Sequence, residues 1–245
     1  MLRGVFHFHS RYSFDSLSTI PAIAESLEQL QLDFAILTDH DDIQGSKALQ
    51  RELKKRKLEI YVPTAAEYST EWGDIIVVGV EKSLAGQPAV QLIKNAKEYG
   101  GLVILPHPYD AHKLTAELLD SVDVIEVFNA RSSKENNEKS LVLAKRLKKP
   151  MIYAPDAHLL SNLSNCIIEL PAERHVLEGI RANEARPVCK IASRKSEIVV
   201  SQIIKSVKMR DLKLLSRIFF TVFFDFVRTT FPKLFEKIKF IKSKL

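Results

Sequence analysis

Five of the seven histidines in this sequence, His7, His9, His40, His107 and His158, stand where an apolar run gives out, and carboxylates flank His40 and precede His158. His7-Phe8-His9 closes the first such run, and side chains two apart on a strand share a face, so both imidazoles can grip one ion. The same pair alone also fits polar residues that merely close a strand. Asp15 follows in Ser10-Arg11-Tyr12-Ser13-Phe14-Asp15 and reads as a ligand or as a helix cap. The second run ends in Thr38-Asp39-His40-Asp41-Asp42. There His40 is the ligand candidate, Asp39 can orient a ligating histidine from behind, and Asp41 and Asp42 cap the next helix. Glu67, in Ala65-Ala66-Glu67-Tyr68-Ser69, is a carboxylate among small and apolar neighbours. Buried without a partner it would be costly, and a cation removes that cost; the alternative is a solvated strand end. Pro106-His107-Pro108 and Asp156-Ala157-His158 complete the set. Asp156 and His158 repeat the two-residue spacing of His7 and His9. The two other histidines, His112 and His175, begin or precede helical stretches and are assigned surface roles.

Imidazole and carboxylate donors without thiolates suit catalytic manganese, iron or zinc better than structural zinc. The donors outnumber what one ion needs, so two or three divalent ions are expected. Ions close together acidify a shared water and offset the charge of a phosphoryl group under in-line attack. That is chemistry for hydrolysing phosphate esters.

Such a set requires strands that deliver their ends to one place. Short apolar runs at 4–9, 33–38, 59–65, 75–80, 102–106, 122–128 and 151–155 read as buried strands, with 166–170 as an eighth. Between them, apolar residues recur at three- and four-residue intervals over 20–30, 44–55, 89–99 and 136–147, which predicts helices. Alternating strands and helices give an α/β domain with a largely parallel sheet. Candidate ligands follow nearly every strand, which favours a closed barrel with one mouth over an open sheet with a single crevice. No glycine-rich phosphate loop follows any strand, so no nucleotide cofactor is indicated.

Taken together, His7-Phe8-His9-Ser10, Asp15, Thr38-Asp39-His40, Glu67, Pro106-His107-Pro108 and Asp156-Ala157-His158 resemble the polymerase and histidinol phosphatase (PHP) family. Ile125-Glu126-Val127-Phe128-Asn129-Ala130-Arg131 resembles the strand that this family places before its last ligands. The resemblance covers roughly residues 4–190 and implies a distorted (β/α)7 barrel with phosphoesterase activity. By resemblance, His7, His9, Glu67 and Asp156 hold the first metal and Asp15, His40 and His158 the second. Glu67 bridges onward to a third ion with His107. Short members of the family often supply a histidine just after a glycine beyond the glutamate, whereas this sequence reads Glu71-Trp72-Gly73-Asp74-Ile75. Asp74 either replaces that imidazole or leaves the third position weak. Arg11 and Arg131 are the candidates to hold a substrate phosphate, because a guanidinium offers a fixed fork of donors. Their alternative is ordinary surface exposure, and Lys134 and Arg194 are weaker candidates still.

The net charge of +6 is unevenly placed. Residues 205–245 hold 11 Lys or Arg against 3 Asp or Glu, a net of +8, leaving 6 − 8 = −2 for residues 1–204. The expected division is a catalytic domain over 1–195 and a basic, helical, amphipathic extension over 196–245. Large apolar residues crowd 210–231 around a polar stripe of Arg217, Thr221, Asp225 and Arg228, and a second amphipathic stretch follows Pro232. Charges interrupt both before the ~20 residues that a membrane span needs. The extension fits a helix packed on the barrel or on a second copy, attachment to a membrane surface, or nucleic-acid binding. The two cysteines, Cys166 and Cys189, have neither paired nor zinc-ligand spacing, and the first strand begins too early for a signal peptide. A cytoplasmic location is therefore expected, with membrane association through the extension as a variant of it.

The expected activity is metal-dependent phosphate-ester hydrolysis, with nucleotides or short nucleic-acid ends as the substrate class that the resemblance suggests. A catalytically silent interaction subunit, as in ribonuclease P, is the alternative from a different class, and retention of the ligand types argues against it. Histidinol phosphate is a third reading, usually served by longer members of the family.

Overall fold

The computed structural model describes residues 1–230. Nine strands and eight α-helices alternate among them: β1 (Leu2–Phe8), α1 (Ile20–Gln29), β2 (Phe34–Leu37), α2 (Gln44–Arg56), β3 (Ala65–Thr70), β4 (Gly73–Val78), α3 (Ala89–Glu98), β5 (Leu102–Leu105), α4 (Ala116–Ser121), β6 (Val124–Asn129), α5 (Lys134–Leu147), β7 (Met151–Ala154), β8 (Cys166–Leu170), α6 (Val176–Arg181), β9 (Arg186–Lys190), α7 (Lys195–Lys208) and α8 (Leu212–Thr230). The helix periodicities predict α1, α2, α3 and α5 to within two residues at each end, while α4 and α6 are too short to show one. In α1 the buried set is Ile20, Ile23, Ala24 and Leu27, the three- and four-residue stripe that defines a core-facing helix, and Pro21 occupies its first turn.

The α/β class is as expected, but the strands do not close into one hydrogen-bonded barrel. They divide into a four-stranded sheet ordered β2-β1-β8-β9 and a five-stranded sheet ordered β3-β4-β5-β6-β7. At the seams only isolated bridges join them, Phe34 with Tyr61 and His40 with Glu67 on one side, Phe8 with Ala157 on the other. The β3-β4, β4-β5, β1-β8 and β8-β9 pairs are antiparallel, so the parallel βα pattern holds for only part of the chain. The strand expected over 59–65 is irregular apart from Tyr61, and the true strand starts at Ala65. Pro63 supplies the physical reason, since it brings no N–H to a ladder. Glu67 therefore lies inside a strand instead of following one.

Facing side chains of the two sheets, among them Phe6, Phe34, Ile36, Ile76, Ile104, Val124, Ile152 and Ile168, form one buried cluster. A second cluster packs α1 and α2 against the outside of β1 and β2. A third packs α3 and α5 outside the larger sheet. This core leaves the carboxyl ends of β1, β2, β5, β6 and β7 converging at one end.

The extension begins as two helices. α8 lies against α7, with Leu214, Arg217 and Ile218 facing Ile198, Val199 and Gln202 across a groove. Phe219, Phe220, Val222 and Phe223 remain exposed. Among the described residues no helix is long and apolar enough to cross a membrane. The second amphipathic stretch expected after Pro232 lies outside the described residues.

Candidate metal centre

The first pair of ligand candidates reaches the centre through a backbone irregularity. The β1-β2 register shifts between Phe6 and Phe8, and His7 sits at φ 61 in the left-handed region. A bulge thus re-aims the His7 side chain, and the simple alternation predicted for His7-Phe8-His9 does not hold. The rings nevertheless converge, with centroids 5.3 Å apart. His107 and Asp156 also have positive φ, 26 and 46. Such conformations cost non-glycine residues of order 1–3 kcal/mol and are found where function over-determines the backbone.

All eight core candidates come together. Glu67, buried in β3, lies 3.2 Å from His7 Nε2 through Oε2 and 3.1 Å from His107 Nε2 through Oε1. Its Oε2 is also 3.5 Å from both His9 Nε2 and His40 Nδ1. Asp15 is buried and makes no helix cap. Its Oδ2 meets His158 Nε2 at 2.9 Å and His40 Nε2 at 3.1 Å, while Ser13 Oγ donates to its Oδ1 at 2.7 Å. Asp156 Oδ1 faces His9 Nε2 at 3.4 Å, His7 Nε2 at 3.6 Å and His158 Nδ1 at 3.3 Å.

Three groups of donor atoms result, each with its atoms within 4.8 Å of one another: His9, Asp15, His40 and His158; His7, His9 and Asp156; His7, Glu67 and His107. Whether they suit cations can be judged from their hydrogen bonding. Both nitrogens of His9, Nδ1 of His40, Nδ1 of His107 and Oδ1 of Asp156 are buried without a hydrogen-bond partner. Orphaned polar groups of this kind cost about 1–3 kcal/mol each. Three of them, His9 Nε2, His40 Nδ1 and Asp156 Oδ1, face neighbouring donors and fit a divalent ion that takes imidazole and carboxylate lone pairs.

Other predicted residues are placed differently. Asp74 belongs to none of the three groups: its Oδ1 accepts from Ser69 Oγ at 3.0 Å, and its carbonyl lies 2.8 Å from His112 Nε2. His112 is half-buried, its ring centroid 5.3 Å from that of His107, which corrects the surface role read from sequence. His175 is exposed as expected. Asp39 does not orient a histidine; it accepts from the amide and the hydroxyl of Ser10, both at 2.6 Å. Gly45 is required beside it, because an added Cβ would stand 1.8 Å from Asp39 Oδ2. Arg131 Nε lies 3.8 Å from Asp156 Oδ2, at the edge of the centre. Arg11 instead lines a cleft of about 840 Å³ beside α1 and α2, with Arg51 and Lys55.

One functional carboxylate escaped the sequence reading. Glu126, buried in β6, has Oε1 2.8 Å from His7 Nδ1, and its Oε2 accepts from the His107 amide at 2.7 Å and Asn129 Nδ2 at 2.9 Å. A carboxylate behind a ligating imidazole fixes its tautomer and raises its basicity. The available signal was a lone acidic residue within the apolar run Val124-Ile125-Glu126-Val127-Phe128.

The charges of the metal-free centre follow from this geometry. Burial opposes protonation of His7, but Glu67, Asp156 and Glu126 outweigh it and raise its pKa well above the ordinary value. Burial likewise works against His40 and His107, yet Glu67 and Asp15 bring His40 to about 9, and Glu67 brings His107 to about 9. His9 goes the other way, lowered to about 3 by burial and by His158. Burial disfavours the charged forms of Glu67 and Asp156, but the surrounding imidazoles hold both carboxyls well below their usual range.

A pH dependence follows. The folded pKa of His40 and His107 is raised over an unfolded value near 6.5, so their contribution to stability is complete below about pH 6.5 and is lost as pH rises through about 9. Metal-free protein should show a thermal midpoint that falls by several degrees from pH 6.5 to 9.5. With metal the slope should reverse, because binding displaces protons and strengthens as they become scarce. Calorimetry with chelator and with manganese checks both slopes, and parallel slopes would contradict the assignment.

Comparison with known proteins gives the family and the fold. The PHP domain family model matches residues 6–152. An uncharacterized protein of Methanocaldococcus jannaschii is 30% identical over 128 residues, 47% of this chain and 54% of the relative, so the match spans about half of that relative's length. Among solved structures, a two-domain protein from Bacteroides vulgatus containing a predicted PHP-like metal-dependent phosphoesterase aligns with TM-score 0.64 and 18% identity, covering 82% of this chain and 68% of that one. PsfC from Pseudomonas syringae aligns with TM-score 0.59 and 18% identity over 84% of this chain and 99% of its own. At these identities the structures speak for the fold alone.

Proposed function

This chain belongs to the PHP domain family, and on that premise we propose that it hydrolyses phosphate esters with a centre of two firmly held divalent ions. The observation that carries this is the pair His9 and Asp156, buried, unpartnered at His9 Nε2 and Asp156 Oδ1, and facing each other across 3.4 Å between two groups of donors. His7, His9 and Asp156, with Glu67, would hold one ion, and Asp15, His40 and His158 the other. Glu67 and His107 offer a third position. Because His7 already serves the first, this third position has only two donors of its own, and Asp74, outside the three groups, would have to turn from Ser69 to add one. Manganese, iron and zinc all suit the donor set.

Bound at such a centre, divalent ions acidify water and offset charge at phosphorus. The residues of the chain do the rest. Glu126 holds the His7 ring through Nδ1, which leaves Nε2 directed at Glu67 and Asp156. Asn129 Nδ2 donates to Asp156 Oδ2 at 3.1 Å and to Glu126, tying the ends of β6 and β7 together. His9 remains neutral across the physiological range and so competes with no proton for a cation. Arg131, at the edge of the centre, would fork two phosphate oxygens. Arg11, Arg51 and Lys55 line the neighbouring cleft and would receive a more distant anionic part of a substrate. Nucleotides and short nucleic-acid ends carry such a second anionic part.

The test is a metal-supplemented screen of phosphorylated metabolites, nucleotides and short oligonucleotides with the full chain. Hydrolysis of members of one class, abolished by chelator, is expected. Full metal loading without turnover of any of them would instead favour a silent interaction subunit.

A further inference from the structure

The first helix of the extension is tied at both ends to segments that border the candidate metal centre. At its start, the Ser193 amide donates to the Ala130 carbonyl at 2.7 Å, next to Arg131 at the end of β6. At its end, Lys208 Nζ reaches the loop after β1 and donates to the carbonyls of Arg11 at 2.9 Å, Ser13 at 2.5 Å and Ser16 at 3.1 Å. Fourteen helical residues span about 20 Å, so α7 runs across the carboxyl ends of the strands between these two anchorages.

An ammonium has three donors, and here all three are spent on one short loop. That loop contains Asp15, between Ser13 and Ser16. Ser16 carries the restraint further, since its Oγ donates to the carbonyls of His9 at 3.1 Å and His158 at 2.9 Å. A second line of contact starts one turn earlier. Lys205 Nζ sits 4.6 Å from the centroid of the Phe14 ring. Phe14 stacks on His40 with centroids 4.5 Å apart and planes 11° from parallel, and His40 stacks in turn on His9 at 4.7 Å and 18°. Both lines end on the group His9, Asp15, His40 and His158.

We propose that α7 is a strap that positions the second metal group, with Lys208 fixing the loop that presents Asp15 and Lys205 pressing Phe14 onto His40. Both lysines are positioning residues, acting through Asp15 and His40. The extension thereby belongs to the catalytic unit, and the boundary expected at residue 195 separates two parts that work together. The proposal rests on the metal-centre reading above, and its test contains one arm that does not depend on metal.

The variant is Lys208→Met in the full chain, with Lys208→Arg as the rescue and Lys205→Met as the second line. In metal-free protein, hydrogen exchange at the amides of residues 11–16 should quicken at least tenfold in Lys208→Met, with exchange in β1 and β6 unchanged. In a manganese titration followed by electron paramagnetic resonance, Lys208→Met should weaken one of the two ions about 10- to 100-fold, the usual effect of losing a group behind a ligand, and leave the other as in the parent. Lys208→Arg should recover most of that loss, and Lys205→Met should show a smaller loss at the same ion. Unchanged loop exchange would overturn the strap, as would equal weakening of both ions. A parent chain that binds no metal would overturn the proposed function, and the exchange arm alone would then decide whether α7 restrains the loop.

Discussion

Asp156→Asn should lower phosphate-ester hydrolysis about a thousandfold and remove one ion, while the fold survives. Asp156 is the buried carboxylate that His7, His9 and His158 all face, within 3.6 Å of Oδ1. Asparagine keeps its size, and like aspartate it tolerates the left-handed backbone found there, whereas alanine would add strain at φ 46. The amide removes the negative charge that attracts and balances a cation. An ion contributing several kcal/mol to the reaction, at 1.36 kcal/mol for each factor of ten, sets the expected loss near three powers of ten. Activity within threefold of the parent, with metal content unchanged, would exclude Asp156 from the centre. Asp156→Ala should be at least as inactive and less stable.

Glu67→Gln should have the widest effect of any single substitution. Its two oxygens lie 3.1 to 3.5 Å from imidazole nitrogens of His7, His9, His40 and His107, so one carboxylate touches all three donor groups. Metal content should fall to one equivalent or less, and hydrolysis should fall about as far as in Asp156→Asn. A second consequence appears without metal. Glu67 is the largest of the influences that raise His7 and His40, and it raises His107 as well, each against the opposing effect of burial. Without its charge those imidazoles return toward ordinary values, and the stabilisation present below about pH 6.5 is lost. The thermal midpoint of metal-free Glu67→Gln should therefore drop at pH 6 and differ little from the parent above pH 9.5. An equal drop at both pH values would mark a packing defect instead.

Much of the centre was legible because its donors stand in short, local patterns at the ends of apolar runs. His7-Phe8-His9, His40 and Asp156-Ala157-His158 needed no knowledge of distant contacts. What was missed depends on such contacts or on irregular backbone. The bulge at His7 leaves no mark in a sequence read by alternation. Glu126 was hidden because a strand buried on both faces shows no polar side, so its one acid looked incidental. His112 is brought beside His107 by the turn between them, and nothing in its neighbouring residues announces that. β9 escaped because Arg186-Pro187-Val188-Cys189-Lys190 is an edge strand, half exposed and interrupted by a proline. The expectation of a closed barrel assumed largely parallel pairing with hydrogen bonds all the way round, whereas four pairs are antiparallel and the two sheets meet only at isolated bridges. Lys208 meets its loop across nearly 200 residues of sequence, where no pattern of residue types can reach.

The most direct measurement of the central claim is metal content and turnover on one preparation of the full chain. Protein stripped by chelator and reloaded with manganese at pH 8 should hold two equivalents by elemental analysis and hydrolyse a generic aryl phosphate. It should lose that activity on renewed chelation in proportion to the metal removed. Protein that takes up no transition metal, or that hydrolyses the ester equally well with and without it, would contradict the account.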